Sequence, residues 1–163
     1  MKNPTGWVDP LGLVQCPVEC PEVGKGADTT SELKYGKYDV TEVSGRKVYK
    51  NTLDVLPDAP TSVHRSVHKS IRQKIEDGWT NLDLMKNGNA PIGPDGKQIN
   101  LHHILGKEPG PMVELQASTH KKFHKPLHGL IENGRSFRND PSSLYQYEKF
   151  KLNYWKQRAK DFQ

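Results

Sequence analysis

The chain is poor in the residues that mark several protein classes. It has only two cysteines, Cys16 and Cys20 in "CPVECP", whereas a zinc ribbon normally needs two such pairs. No run approaches the roughly 18 apolar residues of a membrane span. The start of the chain lacks the basic residues and apolar centre of a signal peptide. We therefore expect no thiolate zinc site, no membrane insertion and, if the protein is exported, a route other than a signal peptide.

Hydrophobic residues are also scarce at 33%, whereas 14 glycines and 12 prolines among 163 residues indicate extensive loops. This predicts a small core with loop-rich segments around it. The formal charge of +5 is unevenly distributed, because residues 1–60 carry −2 and residues 61–163 carry +7. A basic C-terminal part suits a polyanion such as nucleic acid, although charge alone fits ordinary solubility as well.

The order of patterned segments predicts an α+β fold. "KYDVTEVSGRKVYK" alternates weakly around Ser44-Gly45, as a hairpin does. A helix is predicted over 62–77, because apolar residues recur every four positions at Val63, Val67, Ile71 and Ile75. This helix would hold His64 and His68 one turn apart, most simply as surface or core-edge residues. The segment from Met85 to Gln98 is predicted to be a loop.

The second half of the chain predicts strand, loop, strand and helix. "QINLHHIL" and "MVEL" are the two strands, and Ser118 is the expected cap of a helix from about Thr119. Pro126 should kink or end that helix, because it removes a backbone donor and clashes with the preceding turn. A last helix follows Asp140 as its N-cap, with Pro141 at its first position.

Five of the seven histidines are concentrated in this second half, at positions 102, 103, 120, 124 and 128. Successive strand residues point to opposite faces, so His102 and His103 should do different work, one as a metal ligand and one as a general base. A hairpin packed on a helix would bring the later histidines, His120, His124 and His128, to the same ion. Glu114 in the second strand is a candidate to orient a histidine.

Three interpretations of the cluster compete. A structural zinc site could use His102, His120, His124 and His128, but structural sites favour thiolates. Coincidence fits the local density of histidines poorly. A catalytic centre with an open coordination position accounts for both the spare histidine and the basic surroundings, and is preferred.

Two segments resemble known families. "NLHHILGKEPGPMVELQASTHKKFHKPLHGL" resembles the LHH group of HNH/endonuclease VII nucleases, whose core is a small ββα-metal (treble-clef) fold, here with flanking helices and a loop-rich N-terminal segment. "NPTGWVDPLGL" is similar to the end of an Rhs/YD-repeat core, where the resemblance implies a cut between Leu13 and Val14, with Asp9 in the motif. The chain would then divide into the Rhs-core end and linker (1–26), an unassigned extension (27–60) and the nuclease toxin domain (61–163).

The resemblance implies a metal-dependent, largely non-specific DNA endonuclease that acts as a polymorphic toxin. His103 would be the general base, and His102, His120 and either His124 or His128 would hold one divalent ion, Mg²⁺, Zn²⁺, Ni²⁺ or Mn²⁺. Candidate phosphate contacts are Lys121, Lys122, Lys125, Arg135 and Arg138.

Partners and alternatives follow from the same likeness. DNA, the parent Rhs core and a cognate immunity protein are the expected partners. Export by a type VI or similar system would deliver the toxin to the cytoplasm of a target cell. An RNase toxin and a non-catalytic zinc-stabilised nucleic-acid-binding module are the alternatives.

Overall fold

The computed structural model of the protein describes residues 38–129 and 136–163. The predictions for Asp9, Leu13, the cysteine pair and Arg135 fall outside these residues. The strands are β1 (Tyr38–Val43), β2 (Arg46–Asn51), β3 (Asn100–His103) and β4 (Met112–Leu115). The helices are α1 (Lys69–Glu76), α2 (Asn81–Lys86), α3 (Ala117–Lys122), α4 (His124–His128) and α5 (Pro141–Arg158). Short 3₁₀ turns cover Phe137–Asn139 and Ala159–Phe162.

The four strands form one mixed sheet in the order β1-β2-β4-β3. Both predicted hairpins, β1–β2 and β3–β4, are antiparallel, while β2 runs parallel to β4 through Val48 opposite Met112. The first hairpin turns at Ser44-Gly45, both with positive φ, as a tight two-residue hairpin turn requires. The α+β architecture with a small ββα unit is confirmed. Residues 38–51, predicted to belong to a separate extension, lie in the same sheet as the histidine doublet.

Helix α1 is shorter than predicted. It begins at Lys69 rather than near residue 62, because the ring of His68 accepts a hydrogen bond from the Ser70 backbone and so caps the helix. The His64 ring likewise bonds Ser66, and such local side-chain bonds compete with helix formation. The prediction that His64 and His68 share a helix is wrong. The apolar spacing still identified buried residues, since Val67 and Ile71 pack in the core.

Helix α2 lies partly within the segment predicted as a loop. Thr80 and Asp83 form a reciprocal capping box at its start, in which each side chain accepts a hydrogen bond from the other's backbone. Leu84 and Met85 are fully buried. The sequence "TNLD" contains the Thr and Asp of this capping box, so it indicated the start of a helix at this point.

Helix α5 begins as predicted, with Asp140 as N-cap and Pro141 in its first turn. The aromatic face of α5 packs against the sheet. The Tyr147 hydroxyl donates a hydrogen bond to the carbonyl of Leu101 at 2.8 Å. Its buried residues are Tyr147, Phe150, Tyr154, Trp155 and Arg158. Across residues 38–129 and 136–163, no helix combines the length and apolar character needed to cross a bilayer.

Candidate metal centre and active site

The two histidines of the doublet lie in different surroundings, as the alternation of strand side chains predicts. His102 is opposite Val113 in the β3–β4 ladder, and His103 is opposite Met112. The His102 ring contacts two other imidazoles, whereas the His103 ring packs against Phe137 with centroids 4.4 Å apart. Both rings are buried and both line one cleft. One strand therefore supplies two imidazoles with separate environments to the same cavity.

Three imidazoles converge at the first of these environments. His102 Nδ1 lies 3.2 Å from His120 Nε2, and His128 Nε2 lies 3.3 Å from the same His120 atom. The three ligand atoms all lie within 4.8 Å of one another. Nitrogens held at about 2.0–2.1 Å around one tetrahedral ion are about 3.4 Å apart. The donor set and its spacing fit a divalent metal ion.

The protonation of these imidazoles suits metal binding. Burial, with the neighbouring imidazoles of His120, His128 and His103 as further causes, lowers the pKa of His102 to about 3. Burial is also the main cause that lowers the pKa of both His120 and His128. The rings are thus neutral near pH 7 and carry the lone pairs that a metal requires.

A break between α3 and α4 makes this convergence possible. Along one straight helix, residues eight positions apart would be separated by about 12 Å. The helix is instead interrupted at Phe123, and Pro126 lies in the first turn of α4. The predicted kink at Pro126 therefore falls three residues earlier, because the proline ring clashes with the carbonyl of the residue four positions before it. The prediction that Ser118 caps α3 is wrong, because the helix already begins at Ala117. The backbone N–H of Ser118 donates a hydrogen bond to the Asp95 carboxylate instead.

The third imidazole of the converging group is that of His128 and not that of His124. His124 is exposed, and its ring centroid lies 6.0 Å from that of His120. It packs against the His128 ring with centroids 4.4 Å apart but is not one of the three residues whose ligand atoms converge. His124 lies at the rim of the centre.

His103 has a carboxylate partner that the sequence did not reveal. Its Nε2 lies 2.5 Å from Glu108 Oε2, and the other oxygen of Glu108 accepts a hydrogen bond from Arg46. Burial lowers the pKa of His103, and the Glu108 carboxylate opposes that shift. Glu108 lies in the loop that closes the β3–β4 hairpin, five residues after His103. An acidic residue in that loop was the available signal, whereas Arg46 gave none.

Glu114 lies elsewhere, in a structural network. Its side chain is fully buried and accepts hydrogen bonds from Tyr154 at 2.6 Å, from Arg158 at 3.0 Å and from the backbone of Asn51 at 2.6 Å. Burial raises its pKa, and these donors act in the opposite direction. No histidine is among its partners in the part of the chain that the structure describes. The prediction that Glu114 orients a histidine is corrected: Glu108 makes that contact.

The histidines open onto a cleft of about 810 Å³. Arg138 lines this cleft, with its guanidinium 5.4 Å from the ring centres of both Phe137 and Tyr147. The three predicted lysine contacts are exposed on α3 and α4, outside the cleft lining: Lys121, Lys122 and Lys125. The cleft therefore has a cation among the residues that line it beside the imidazoles.

A family model described as a nuclease of the HNH/ENDO VII superfamily with conserved LHH matches residues 80–161, just over half of the chain. This chain belongs to the LHH nuclease family. Leu101, His102 and His103 supply the letters of the motif, and the match contains all three converging histidines. The LHH protein is accordingly a nuclease, an enzyme that hydrolyses phosphodiester bonds. No solved structure matches the nuclease.

Proposed function

We propose that this nuclease cuts DNA with little sequence preference, uses one divalent ion, and acts as an antibacterial toxin. The observation that carries the proposal is that the two adjacent histidines of β3 have different partners. His102 joins two other imidazoles in a group that can hold a metal ion, while His103 lines the same cleft and has a carboxylate at its Nε2 atom. A purely structural metal site has no use for the second imidazole.

We propose a role in hydrolysis for each group of residues in the cleft. An ion held by His102, His120 and His128 would supply Lewis-acid stabilisation of the charge that develops on the phosphate oxygens. A hydrogen bond donated by Nε2 to the Glu108 carboxylate would leave Nδ1 of the His103 ring as the unprotonated nitrogen. His103 Nδ1 takes the proton of the attacking water. This role is supported by the position of His103, which lines the same cleft as the three converging imidazoles and is not one of them.

Basic residues hold the backbone of the substrate. Arg138 is exposed in the cleft next to His103 and contacts the phosphate near the reacting bond. The exposed lysines of α3 and α4 contact phosphates further along the strand, and Arg135 is a further phosphate contact suggested by the sequence alone. Phosphate contacts carry no sequence information, which agrees with non-specific cutting.

The proposed biological context rests on the sequence resemblance at the start of the chain. We propose that the nuclease is released from an Rhs/YD-repeat core by a cut between Leu13 and Val14, with Asp9 in the processing motif. Export by a type VI or similar system would deliver it to the cytoplasm of a target cell. A small acidic immunity protein would protect the producing cell by covering the basic surface.

Digestion of plasmid DNA tests the proposal most directly. The purified protein is incubated with plasmid and with a folded RNA, each with added Mg²⁺, Mn²⁺, Ni²⁺ or Zn²⁺ and each with EDTA. We expect the plasmid to be nicked and linearised only with metal, while the RNA is cut more slowly. His102→Ala protein should fail both to cut DNA and to take up metal.

Three other results would contradict parts of the proposal. Cutting that persists in EDTA would remove the metal from the mechanism. Preferential cutting of RNA would change the substrate. Intact DNA beside tight stoichiometric metal would indicate a non-catalytic binding module.

A further inference from the structure

The β1–β2 hairpin lies outside the region that matches the family model, which begins at residue 80. It nevertheless pairs with the hairpin that carries the histidine doublet, because Val48 and Tyr49 of β2 lie alongside Met112 and Val113 of β4. Arg46 is the first residue of β2. The sheet thereby brings a cation from the N-terminal hairpin to the loop that closes β3–β4.

A chain of contacts runs from this cation to His103. Arg46 Nη2 donates to Glu108 Oε1, and Glu108 Oε2 meets His103 Nε2 at 2.5 Å. The side chains of Arg46, Glu108 and His103 are only 12%, 0% and 5% exposed. The Arg46 guanidinium also lies 4.3 Å from the centre of the Phe150 ring, which limits its movement. Charge-assisted hydrogen bonds are strong in such dry surroundings.

We propose that Arg46 is a positioning residue of the nuclease: it fixes Glu108, and Glu108 fixes the orientation and tautomer of His103. This rests on the proposed role of His103 as general base. A carboxylate on Nε2 keeps the proton on that nitrogen and leaves Nδ1 free to accept one. Without Arg46, one oxygen of the buried Glu108 carboxylate would lose its charged partner, and the contact that orients His103 would be less firmly held. The N-terminal hairpin is thus part of the catalytic unit.

A direct contact of Arg46 with nucleic acid is the competing role. Arg46 is not among the residues that line the cleft, and one face of its guanidinium is covered by Phe150. Arg138 is the exposed arginine in the cleft. The geometry therefore assigns Arg46 to support of the base and Arg138 to the substrate.

Four variants of the full chain test this assignment: Arg46→Met, Arg46→Lys, Glu108→Gln and the double variant Arg46→Met/Glu108→Gln. Lys47→Met is the matched control, because Lys47 is the exposed neighbour on the same strand. For each protein, kcat and KM are measured with DNA, thermal unfolding is recorded, and nitrogen-15 NMR reads the tautomer of the His103 ring.

We expect Arg46→Met to lower kcat by about 10- to 100-fold with KM unchanged, as is typical when the partner of a working residue is lost. The His103 ring should lose its single tautomer in Arg46→Met and in Glu108→Gln. Arg46→Lys should recover part of the activity, because it keeps the cation. The double variant should be no slower than Glu108→Gln, because both changes act through one contact. Lys47→Met should match the parent.

Several results would overturn the proposal. A parent-like kcat and His103 tautomer in Arg46→Met would reject it, and so would a raised KM with unchanged kcat, which is expected for a phosphate contact. Multiplying losses in the double variant would show that Arg46 acts independently of Glu108. If Arg46→Met fails to fold, Arg46→Lys and Glu108→Gln decide by the same readouts. If the parent cuts no nucleic acid, the proposed function fails, whereas the NMR signals still test the contacts to His103.

Discussion

Two polar clusters each include a residue of the β3–β4 hairpin, and they differ in whether the protein completes them. The carboxylate of Glu114 is satisfied by Tyr154, Arg158 and the Asn51 backbone, so charge and hydrogen bonds balance inside the protein. His102, His120 and His128 bring together three imidazoles that all lack a charge near pH 7. The first cluster joins β2, β4 and α5, whereas the second opens onto a cleft. A cluster of ligand atoms that the protein does not complete indicates a bound ligand, and a completed cluster indicates a structural role.

The largest expected effect separates the two histidines of the doublet from each other. His103→Ala should lower the cutting rate by about 10²–10⁴-fold, because the general base is lost, while metal uptake remains. The His102→Ala protein should lose both the cutting activity and the uptake of metal. Rates are measured on plasmid, and metal uptake by calorimetry with Ni²⁺ or Zn²⁺. His64→Ala, an exposed histidine outside the cleft, is the control. Parent-like cutting by His103→Ala would contradict the assignment of the base.

A substitution in the completed cluster around Glu114 should lower the stability of the fold and leave the catalytic chemistry unchanged. Glu114→Gln removes the fully buried carboxylate from Arg158 and leaves the more exposed Asp161 as its charged partner, and we expect a loss of about 3–5 kcal/mol in the free energy of unfolding. Urea denaturation measures this loss. The control is Glu148→Gln, because the Glu148–Lys151 pair is exposed and contributes at most about 1 kcal/mol. A stable Glu114→Gln protein with lost activity would place Glu114 in the catalytic machinery.

Added metal should raise the stability of the folded protein only when the cluster of His102, His120 and His128 is intact. At a free concentration of 100 times the dissociation constant, a ligand that binds the folded state alone adds about 2.7 kcal/mol to the free energy of unfolding. We expect this gain for the parent and its absence in His120→Ala. Thermal unfolding with and without metal measures it. An equal gain in both proteins would locate the ion elsewhere.

The smallest expected effect distinguishes the two histidines of α4. His128→Ala should abolish the stabilisation by metal, whereas His124→Ala should leave it within about 0.5 kcal/mol of the parent, as for a surface substitution. The same unfolding curves provide the comparison. Reversed results would make His124 the third ligand.

Local sequence patterns predicted the helices, strands and turns of this fold correctly wherever one strong local signal determines the backbone conformation. The His102–His103 alternation, the Ser44-Gly45 turn and the Asp140-Pro141 helix start are all such signals, and each is confirmed. The predicted helix over 62–77 was too long because the cap at His68 and the local bond between His64 and Ser66 override the apolar period.

Contacts between distant parts of the chain could not be predicted in this way. The sequence places Arg46 and Glu108 sixty-two positions apart, and only the parallel pairing of β2 with β4 brings them together. Glu114 was assigned to the wrong partner because a strand position fixes a face but not which group from another element reaches it. The choice between His124 and His128 depended on the break at Phe123, which proline chemistry places only approximately.

The mixed sheet has a practical consequence for anyone who works with a shortened form of this nuclease. A fragment trimmed to the matched residues 80–161 would lack β2, so one side of β4 would present unpaired backbone amides and carbonyls. Open strand edges of this kind recruit other chains and promote aggregation. Fragments for expression should therefore begin no later than Tyr38, the first residue of β1.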